Sequence, residues 1–513
     1  MKPFLSTLRA RQLNGYICQT CTRQLRRKPQ RRSYASTSSR TPEIFDVVCV
    51  GGGPAGLSLL AALRANPITS TLKIALIESQ SLTPTRTFSP SPDSFSNRCS
   101  SLTPSSVRFL SDIGAWKFVR GERVQGYGQM RVWDGVSGAA VHFDAFGGAE
   151  KEKRDEGGVV AYMNENANLT AALLRRVEEL GGVEILDGER VEDIALGRET
   201  EEGDLSQWPV VQLSGGRELA ARLLVGADGA NSPVRGFAGI ESSGWDYGRV
   251  GLVATLCMES EGGAEGEVKT AYQRFLPTGP VACLPLPGKF STLVWSTTPE
   301  FAAKLKSLSP RDFVGMVNAA FRLGIVDLKY LHTLEGGQEE EAAWREAHVG
   351  YDESKIPQKV VSVQEGSIAS FPLKLRHADT YIGERVALVG DAAHTTHPLA
   401  GQGLNAGQGD VESLVRTIEY AVAHGMDIGV RMSLEQYMAE RYVKNHVLLG
   451  VVDKLHKLYS VESGPLVGLR SLGLGAVDAL EPVKRFFMRQ AAGTGKILVR
   501  VKSLNSRKQT TQE

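Results

Sequence analysis

The sequence has little of several features that define whole classes of protein. It contains no run of about 18 apolar, uncharged residues, so no transmembrane helix is predicted. Its six cysteines are scattered, which argues against a disulfide framework and indicates a reducing compartment. Hydrophobic residues make up 42% and charged residues 23% of the 513 residues, which excludes a disordered or collagen-like chain.

Acidic residues are missing from residues 1–42, which carry ten Lys or Arg side chains. Because the whole chain has a net charge of +2, the remainder carries −8. A basic, acid-free N-terminus with Ser and Thr is typical of a mitochondrial transit peptide, and we expect the mature chain to begin near Ala35. The alternative is a basic tail that binds nucleic acid, a partner that we do not expect.

A glycine-rich turn between a predicted strand and a predicted helix is the clearest local signal. Residues 44–50 form a short β-branched apolar run, which predicts a buried parallel strand, and residues 57–63 predict a helix. Gly51-Gly-Gly-Pro-Ala-Gly56 stands between them, and a second predicted strand, 73–77, ends at Glu78. This context is that of a dinucleotide-binding fingerprint, although it does not distinguish NAD from FAD.

Each fingerprint residue has a predicted role. Gly51 makes the tight turn, Gly53 lets a pyrophosphate approach the backbone, and Gly56 lets the helix pack closely on the strand. The N-terminus of the helix faces the phosphates, and Glu78 accepts hydrogen bonds from a ribose. The predicted cofactor-binding residues of this segment are Gly51, Gly53, Ala55, Gly56 and Glu78.

Two further strand-ending motifs follow along the chain. Residues 223–235 read as a strand that ends at Asp228-Gly229, and residues 386–394 read as a strand that ends at Gly390-Asp391. A glycine-rich run containing Pro398, Gly401, Gly403 and Asn405 then precedes a helix predicted from about residue 407 to 423.

These three motifs, in this order and with these separations, resemble the flavoprotein aromatic hydroxylases of the para-hydroxybenzoate hydroxylase fold. The run His-Pro-Leu-Ala-Gly-Gln-Gly-Leu-Asn at 397–405 is more narrowly similar to the ubiquinone-biosynthesis hydroxylase family. So are Ser-Asn-Arg-Cys-Ser-Ser-Leu at 96–102 and Arg-Phe-Leu-Pro-Thr-Gly-Pro at 274–280. The resemblance covers roughly residues 43–500 and implies an α/β fold, in which a Rossmann-like FAD-binding domain is interleaved with a β-sheet substrate domain.

The resemblance also implies a discontinuous domain organisation. We expect an FAD-binding domain from residues 43–118, 156–244 and 376–415, a substrate domain from 119–155 and 245–375, and C-terminal helices with a basic tail from 416–513. An acidic insertion at 336–357 is expected to be a surface loop. It could dock a basic partner, although a solvated face is the simpler interpretation.

Further cofactor contacts are implied by the resemblance alone. Arg98 would contact the flavin or its pyrophosphate, Asp228 would support the cofactor region, and Asp391, after Gly390, would hold the ribityl chain. A carboxylate at the end of a strand is otherwise commonly a helix cap.

The run before the long helix would serve the flavin ring itself. Pro398 would line the flavin face, and the backbone N–H groups of Gly401, Gln402, Gly403, Leu404 and Asn405 would point at the flavin N1–C2=O edge. Reduction places negative charge there, which a helix N-terminus stabilises. Pro398, Gly401 and Gly403 are therefore the predicted catalytic residues, and no general base is assigned.

No metal site is predicted. His394 and His397 have the spacing of a ligand pair, but zinc needs three or four ligands and no obvious partners flank them. We expect His394 instead to be a structural residue that hydrogen-bonds the backbone of its loop.

The implied activity is that of an FAD-dependent monooxygenase. It would hydroxylate the ring of a polyprenylated 4-hydroxybenzoate-type intermediate at C5, through a flavin C4a-hydroperoxide in a dry site. Its partners would be O2, an electron donor (ferredoxin with its reductase, or NAD(P)H) and other ubiquinone-biosynthesis proteins. The alternative is a non-catalytic flavoprotein that scaffolds such an assembly.

Two features bear on substrate and location. Arg249 stands where many bacterial relatives have Gln, which weakens any transfer of fine substrate specificity, and Ala406 replaces a usual Leu. Residues 483–508 carry eight basic and no acidic residues with apolar residues between them, which favours peripheral contact with an anionic membrane. We therefore expect the protein on the matrix face of the mitochondrial inner membrane; a packed helix with a solvated tail is the alternative for this segment.

Overall fold

A computed structural model describes residues 41–145, 158–200, 203–260, 269–395 and 402–480. The strands are β1 (Glu43–Val50), β2 (Ile74–Glu78), β3 (Cys99–Leu102), β4 (Val124–Asp134), β5 (Ala140–Asp144), β6 (Ala161–Glu165), β7 (Val183–Asp187), β8 (Val191–Leu196), β9 (Glu199–Thr200), β10 (Gly203–Asp204), β11 (Pro209–Leu213), β12 (Glu218–Gly226), β13 (Ser242–Met258), β14 (Lys269–Leu276), β15 (Gly279–Pro285), β16 (Phe290–Thr297), β17 (Val360–Val363), β18 (Ala369–Ala378), β19 (Ile382–Gly383), β20 (Val386–Leu388) and β21 (His394–Thr395).

The helices are α1 (Pro54–Ala65), α2 (Thr83–Arg86), α3 (Pro104–Asp112), α4 (Asn166–Leu180), α5 (Pro233–Phe237), α6 (Pro299–Ser307), α7 (Pro310–Arg322), α8 (Ile325–Thr333), α9 (Gln338–His348), α10 (Gly403–Ala423), α11 (Arg431–Tyr459) and α12 (Pro465–Ala479). Short 3-10 turns lie at Trp116–Phe118, Gly121–Arg123, Glu353–Lys355 and Gly390–Ala392. Within these described ranges, no helix has the length and apolar character needed to cross a bilayer.

The smaller main sheet is largely parallel and carries the predicted fingerprint. Its order is β19-β20-β12-β1-β2-β7, with β11 paired to β12 and β8 to β11. Strands β20, β12, β1, β2 and β7 run parallel, so their carboxyl ends meet at one edge. The apolar runs predicted as strands at 44–50 and 73–77 are confirmed as β1 and β2, and helix α1 packs against them with one continuous buried stretch, residues 56–63. Burial on both faces explains why these strands lack polar alternation.

The larger sheet is mainly antiparallel, and its strands alternate in the sequence with those of the smaller sheet. Its order is β21-β18-β13-β16-β15-β14-β4-β6-β3, with β17 paired to β13 and β5 to β4. One face packs on helices α6 to α8 and forms a second core, in which Trp295 and Phe313 are buried. The chain crosses between the sheets several times, so the predicted interleaved α/β architecture with C-terminal helices is confirmed. The residue boundaries of the domains stay a prediction.

Two local predictions need correction. The acidic insertion at 336–357 is not a loop, because residues 338–348 form helix α9. Its three glutamates occupy the first turn, where the helix dipole favours negative charge, while Gln338 and Ala342 are buried beneath them. The long helix predicted from about residue 407 begins at Gly403, so Gly403 belongs to the helix and not to the preceding loop.

A C-terminal helical hairpin covers the end of the larger sheet. Tyr459, at the end of α11, stacks on Phe275 of β14 with ring centroids 4.0 Å apart. Arg470 of α12 forms a fully buried ion pair with Asp134 of β4, at 2.9 Å from Nε to Oδ2 and 3.1 Å from Nη2 to Oδ1. Nη1 of Arg470 also donates to the carbonyls of Leu458 and Val461. One guanidinium therefore joins both helices to the sheet.

We predict that Arg470→Met lowers the free energy of unfolding by about 3–5 kcal/mol, because it leaves Asp134 buried without a counter-charge. The control is Lys329→Met, which removes an exposed ion pair between α8 and Glu462 in the turn of the hairpin and should cost less than about 1 kcal/mol. Urea denaturation measures both. Equal effects of the two substitutions would show that the hairpin does not depend on the buried pair.

Candidate functional site

The turn after β1 contains two glycines at which a side chain would clash with the protein, and one at which it would not. Gly51 has φ +107°, and a Cβ there would lie 2.4 Å from the carbonyl oxygen of Ala227. A Cβ on Gly56 would lie 2.0 Å from the carbonyl oxygen of Gly51. A Cβ on Gly53, in contrast, would meet no atom within 4 Å. The space in front of Gly53 is therefore open at the N-terminus of α1, where backbone N–H groups can receive an anion.

The end of β2 is tied to this turn. The Gly52 N–H donates to Oε2 of Glu78 at 2.6 Å, and the Gln80 N–H donates to Oε1 at 2.8 Å. These bonds fix the carboxylate beside the glycine turn, where sequence analysis places a ribose. Oε1 also accepts from Oγ of Ser79 at 3.2 Å, whereas Oε2 can still accept a second hydrogen bond, so the group is not exhausted.

Three small residues bring the separate motifs together. A Cβ built on Gly390 would lie 3.3 Å from the Cβ of Ala55, and one built on Gly407 would lie 3.4 Å from the Cα of Gly390. Helix α1, the turn after β20 and helix α10 therefore meet at backbone distance. The fingerprint, the Gly-Asp motif and the start of α10, which lie far apart in the sequence, form one site.

Two aspartates stand at the carboxyl edge of the smaller sheet. Asp228 accepts the Val234 N–H at 3.2 Å with Oδ2, while its buried Oδ1 has no hydrogen-bond partner within the described ranges. Asp391 reaches solvent, although protein surrounds it on most sides. Desolvation raises the pKa of both carboxyls above the ordinary value. Both groups thus retain acceptor capacity toward a ligand.

The loop that carries Arg98 is held from two sides. Arg123 and Glu165 form a buried ion pair, and the Arg123 guanidinium lies 4.3 Å from the ring centroid of Phe95. On the other side, the Gln364 amide accepts the Phe95 N–H at 2.9 Å and donates to its carbonyl at 3.0 Å. The Arg98 side chain itself is exposed and makes no hydrogen bond to the part of the chain that the structure describes. The loop is therefore held in place, while the Arg98 guanidinium remains available to a ligand.

The start of α10 supplies backbone donors. Gln402 occupies the N-cap position, and Gly403, Leu404 and Asn405 begin the helix, so their N–H groups have no acceptor within it. The Asn405 side chain serves the protein: Oδ1 accepts the Thr103 N–H at 2.9 Å, and Nδ2 donates to the Ser101 carbonyl at 2.7 Å. Only its backbone can act as predicted. Pro398, Gly401 and His397 lie outside the described residues.

A buried ionic cluster behind the site was not anticipated from the sequence. Asp410 of α10 is fully buried and accepts from Nε2 of His394 at 2.5 Å, Nε of Arg441 at 2.8 Å, Nδ2 of Asn445 at 2.9 Å and the Gly390 N–H at 3.2 Å. Burial alone would raise the pKa of Asp410, but the attraction of His394 and Arg441 outweighs it and lowers the pKa to about 2.

This cluster corrects the role expected for His394. The residue is structural, but its ring bonds a carboxylate of α10 and not the backbone of its own loop. Because His394 precedes residues 396–401 and α10 follows them, the bond between His394 and Asp410 joins the two ends of that run. No local pattern could have shown this, since the partners come from β21, α10 and α11. Within the described ranges, no group of three or more metal-ligating side chains is present.

Comparison with known proteins agrees with this geometry. Residues 45–444 match a family described as an FAD binding domain. The chain is 40% identical over 454 residues to "Ubiquinone biosynthesis monooxygenase COQ6, mitochondrial" of Schizosaccharomyces pombe, covering 87% of this chain and 92% of the relative. The proteins of the same name from Saccharomyces cerevisiae (41% identity; 91% and 97% covered) and Homo sapiens (36%; 89% and 94%) are also similar.

Solved structures share the fold at lower identity. The p-nitrophenol 4-monooxygenase PnpA of Pseudomonas putida superposes with a TM-score of 0.61 at 18% identity, over 89% of this chain and all (100%) of that one. PqsL of Pseudomonas aeruginosa superposes with a TM-score of 0.59 at 20% identity, over 85% and 100%.

We predict that Asp410→Asn destabilises the protein by about 3–5 kcal/mol at neutral pH, because it leaves buried cations without their anion. The pKa of Asp410 is below its ordinary value of 3.8, so its ionised form contributes stability above about pH 4 that is lost as the pH falls through about 2. The stability difference between wild type and variant should therefore shrink from pH 5 to pH 3.

Urea denaturation at each pH measures this difference, and Glu412→Gln on the exposed side of the same helix is the control. A difference that stays constant down to pH 3 would contradict the assignment of the charge to Asp410.

Proposed function

Since the chain belongs to the family of FAD-dependent ubiquinone biosynthesis monooxygenases, we propose that it hydroxylates C5 of the aromatic ring of a polyprenylated 4-hydroxybenzoate-type intermediate. The observation that carries the proposal is the convergence of three motif turns on one open space: the clear approach to Gly53, the exposed Asp391 and the donor end of α10. A protein retained only as a scaffold would not need this space.

The residues around this space fit FAD. The free approach to Gly53 suits a pyrophosphate, Glu78 suits a ribose, and the buried Oδ1 of Asp228 lacks a partner that a ligand or its water could supply. Asp391 would hold the ribityl chain, and Arg98 would neutralise phosphate or flavin charge. Gly390 and Ala55 keep the surrounding backbone close. The backbone N–H groups of Gln402, Gly403, Leu404 and Asn405 would point at the N1–C2=O edge of the flavin.

Bound FAD, when reduced, activates O2 and supplies the oxygen atom for the ring. The protein has to orient the substrate, exclude water and stabilise charge. The backbone N–H groups at the start of α10 would stabilise the negative edge of the reduced flavin without moving, because Asp410 and Asn405 fix the helix. Pro398 and Gly401 stay proposed as the flavin-facing residues of the adjoining run.

The reaction also needs a source of electrons. The monooxygenase requires a reductant besides its substrate and O2, and we propose ferredoxin with its reductase, or NAD(P)H, in that role. Other ubiquinone-biosynthesis proteins are proposed partners on the same grounds of family.

We further propose that the protein sits on the matrix face of the mitochondrial inner membrane; the relatives above are named mitochondrial. One side of α12 exposes Leu466, Leu469 and Leu472, with the last 74% exposed. The basic residues 483–508 follow this helix, although they lie outside the described residues. Exposed leucines beside a basic segment are the two components that bind a helix to an anionic bilayer.

The principal test is single-turnover oxidation of the photoreduced holoenzyme lacking residues 1–34, with a prenylated 4-hydroxybenzoate as substrate. A product heavier by one oxygen atom, with the hydroxyl at C5 by NMR, is expected. Bound FAD that reoxidises without product, even after ferredoxin and the other proposed proteins are added, would favour the scaffold. A folded protein that binds no FAD would overturn the assignment of the site.

We predict that Gly53→Ala leaves folding unchanged but weakens FAD binding by at least about tenfold, because its Cβ meets no protein atom yet occupies the phosphate approach. Gly56→Ala is the contrasting variant, since its Cβ would clash with Gly51 and should destabilise the fold itself. Flavin fluorescence titration and thermal unfolding of the apoprotein separate the two effects. Unchanged FAD affinity in Gly53→Ala would place the pyrophosphate elsewhere.

We predict that the double substitution Leu469→Gln/Leu472→Gln reduces partition onto phosphatidylcholine vesicles containing phosphatidylglycerol by more than about tenfold, because each buried leucine contributes about 1.5–3 kcal/mol. Val326→Gln, a similarly exposed apolar residue on α8, should have no effect. Vesicle flotation measures partition. If the leucine variant floats like wild type, α12 is not the membrane-contacting helix.

A further inference from the structure

We propose that the outward sides of helices α8 and α9 bind a basic, amphipathic helix of a partner protein. The inference goes beyond the proposed function and does not depend on it. It starts from the apolar side chains that the two helices expose, from the acidic groups around them, and from their position on the side of the larger sheet away from the cofactor region.

Helix α9 has a buried side and an exposed apolar side. The helix packs on α7, and its residues Gln338 and Ala342 are buried. Because an α-helix repeats every 3.6 residues, Trp344 lies on the opposite side, where 59% of its surface is exposed. Ala343 and Ala347, which lie beside it on that side, are small and also exposed. The helix therefore presents an apolar strip to solvent.

Helix α8 has the same arrangement. Leu328 and Leu331 are buried, whereas Val326 is 80% and Tyr330 is 45% exposed. Val326 and Tyr330 are four residues apart, so their side chains are neighbours on the helix surface. Apolar side chains that adjoin one another in this way mark an interaction site, in contrast to single exposed apolar residues.

Arg345 connects the two helices. From α9, its guanidinium pairs with Asp327 of α8 at 2.5 Å and with Glu341 of its own helix at 2.8 Å. It also lies 4.4 Å from the ring centroid of Tyr330. Since Trp344 directly precedes Arg345 in the chain, the exposed residues of both helices adjoin at this guanidinium. We name as the α8–α9 surface the area formed by Val326, Tyr330, Ala343, Trp344 and Ala347.

Negative charge surrounds the α8–α9 surface. Residues 325–357 carry eight acidic and three basic side chains, which gives a net charge of −5. Each of the three cations already has an acidic partner: Lys329 pairs with Glu462, Arg345 with Asp327, and Lys355 with Asp352. Among the residues that the structure describes, no cation pairs with the exposed glutamates Glu335, Glu339 and Glu340.

The charge decides which kind of partner fits. A negative surface repels an anionic bilayer and a nucleic acid, and two copies of the same surface repel each other. A basic partner is attracted instead, and its Lys and Arg stems can cover apolar area while their charged ends reach the glutamates at the rim. The small side chains beside Trp344 admit a helix at close approach, so that the indole can pack into the apolar face of that helix.

A partner at this surface would leave the cofactor region free. Helices α6 to α8 pack on one face of the larger sheet, against Ala254 and Leu256 of β13. Thr255 points to the other face, where its Oγ1 donates to the Phe95 carbonyl at 3.1 Å, in the loop that carries Arg98. The α8–α9 surface and the proposed FAD site are therefore on opposite sides of the sheet, and both can be occupied at once.

The first test measures binding of a fluorescein-labelled helical peptide of leucine and lysine to the FAD-loaded full chain, by fluorescence anisotropy. Trp344→Ala should weaken binding at least about tenfold, because it removes the central apolar contact. The double substitution Glu339→Gln/Glu340→Gln should weaken it to a similar extent at low salt and reduce its dependence on salt. Trp245→Ala is the matched control: Trp245 is 46% exposed on β13, and its substitution should leave the affinity unchanged.

Two further peptides make the first test specific. One has the same leucines and lysines in an order without an apolar face, and the other has glutamate in place of lysine. Equal binding of either peptide, or an effect of Trp245→Ala as large as that of Trp344→Ala, would overturn the proposal. Trp344, Glu339 and Glu340 lie outside the proposed cofactor site, so FAD content and turnover should stay unchanged. The outcome is thus independent of whether the protein hydroxylates the proposed substrate.

The second test replaces Val326 of the full chain with the photo-cross-linking residue benzoylphenylalanine and identifies the cross-linked peptide from intact mitochondria by mass spectrometry. A peptide of another protein, with lysine or arginine next to apolar residues, is expected. A lipid adduct, an acidic peptide or the lack of any adduct would overturn the proposal. So would a cross-link to residues 483–508 of this chain, which would make the surface an internal contact.

Discussion

The site depends on one buried carboxylate. Asp410 has lost its water, and its charge is tolerated only because donors from three directions converge on it: Arg441 and Asn445 from α11, His394 from β21 and the backbone of Gly390. A buried charge with incomplete partners would cost several kcal/mol, so these elements can pack only in the arrangement that completes the set. The cluster thus fixes the position of α10 relative to the Gly-Asp turn.

This constraint explains how an interleaved fold can hold a precise site. The two sheets contribute to it from separate stretches of chain, and the run at 396–401 joins an end strand of the larger sheet to a helix that packs on the smaller one. Asp410 joins the two sides of that run through His394, while Asn405 joins the helix to the segment after β3. These contacts fix the start of α10, so the backbone donors that we propose for a reduced flavin would not need to reorient.

The sequence allowed a dinucleotide-binding turn to be predicted because its signals are local, whereas FAD was implied by the resemblance that three separate motifs carry together. Gly51 and Gly56 reflect backbone requirements within one turn, and the apolar runs reflect burial of a parallel strand. The role of His394 and the Asp410 cluster could not be predicted, since their partners meet only in the tertiary structure. The acidic insertion was misjudged for a related reason: charge suggested a loop, whereas the two buried residues that flank the glutamates, Gln338 and Ala342, give it a helical packing face.

The arginines differ in how the protein compensates the positive charge of each guanidinium group. Arg123, Arg441 and Arg470 each meet a buried carboxylate, and their burial serves the fold. Arg274 is buried without a carboxylate; its Nη1 donates to the Ala320 carbonyl at 2.9 Å, while its Nε has no hydrogen-bond partner within the described ranges. Arg98 differs from these arginines, because its exposed side chain makes no hydrogen bond to the described part of the chain while Arg123 and Glu165 hold its loop.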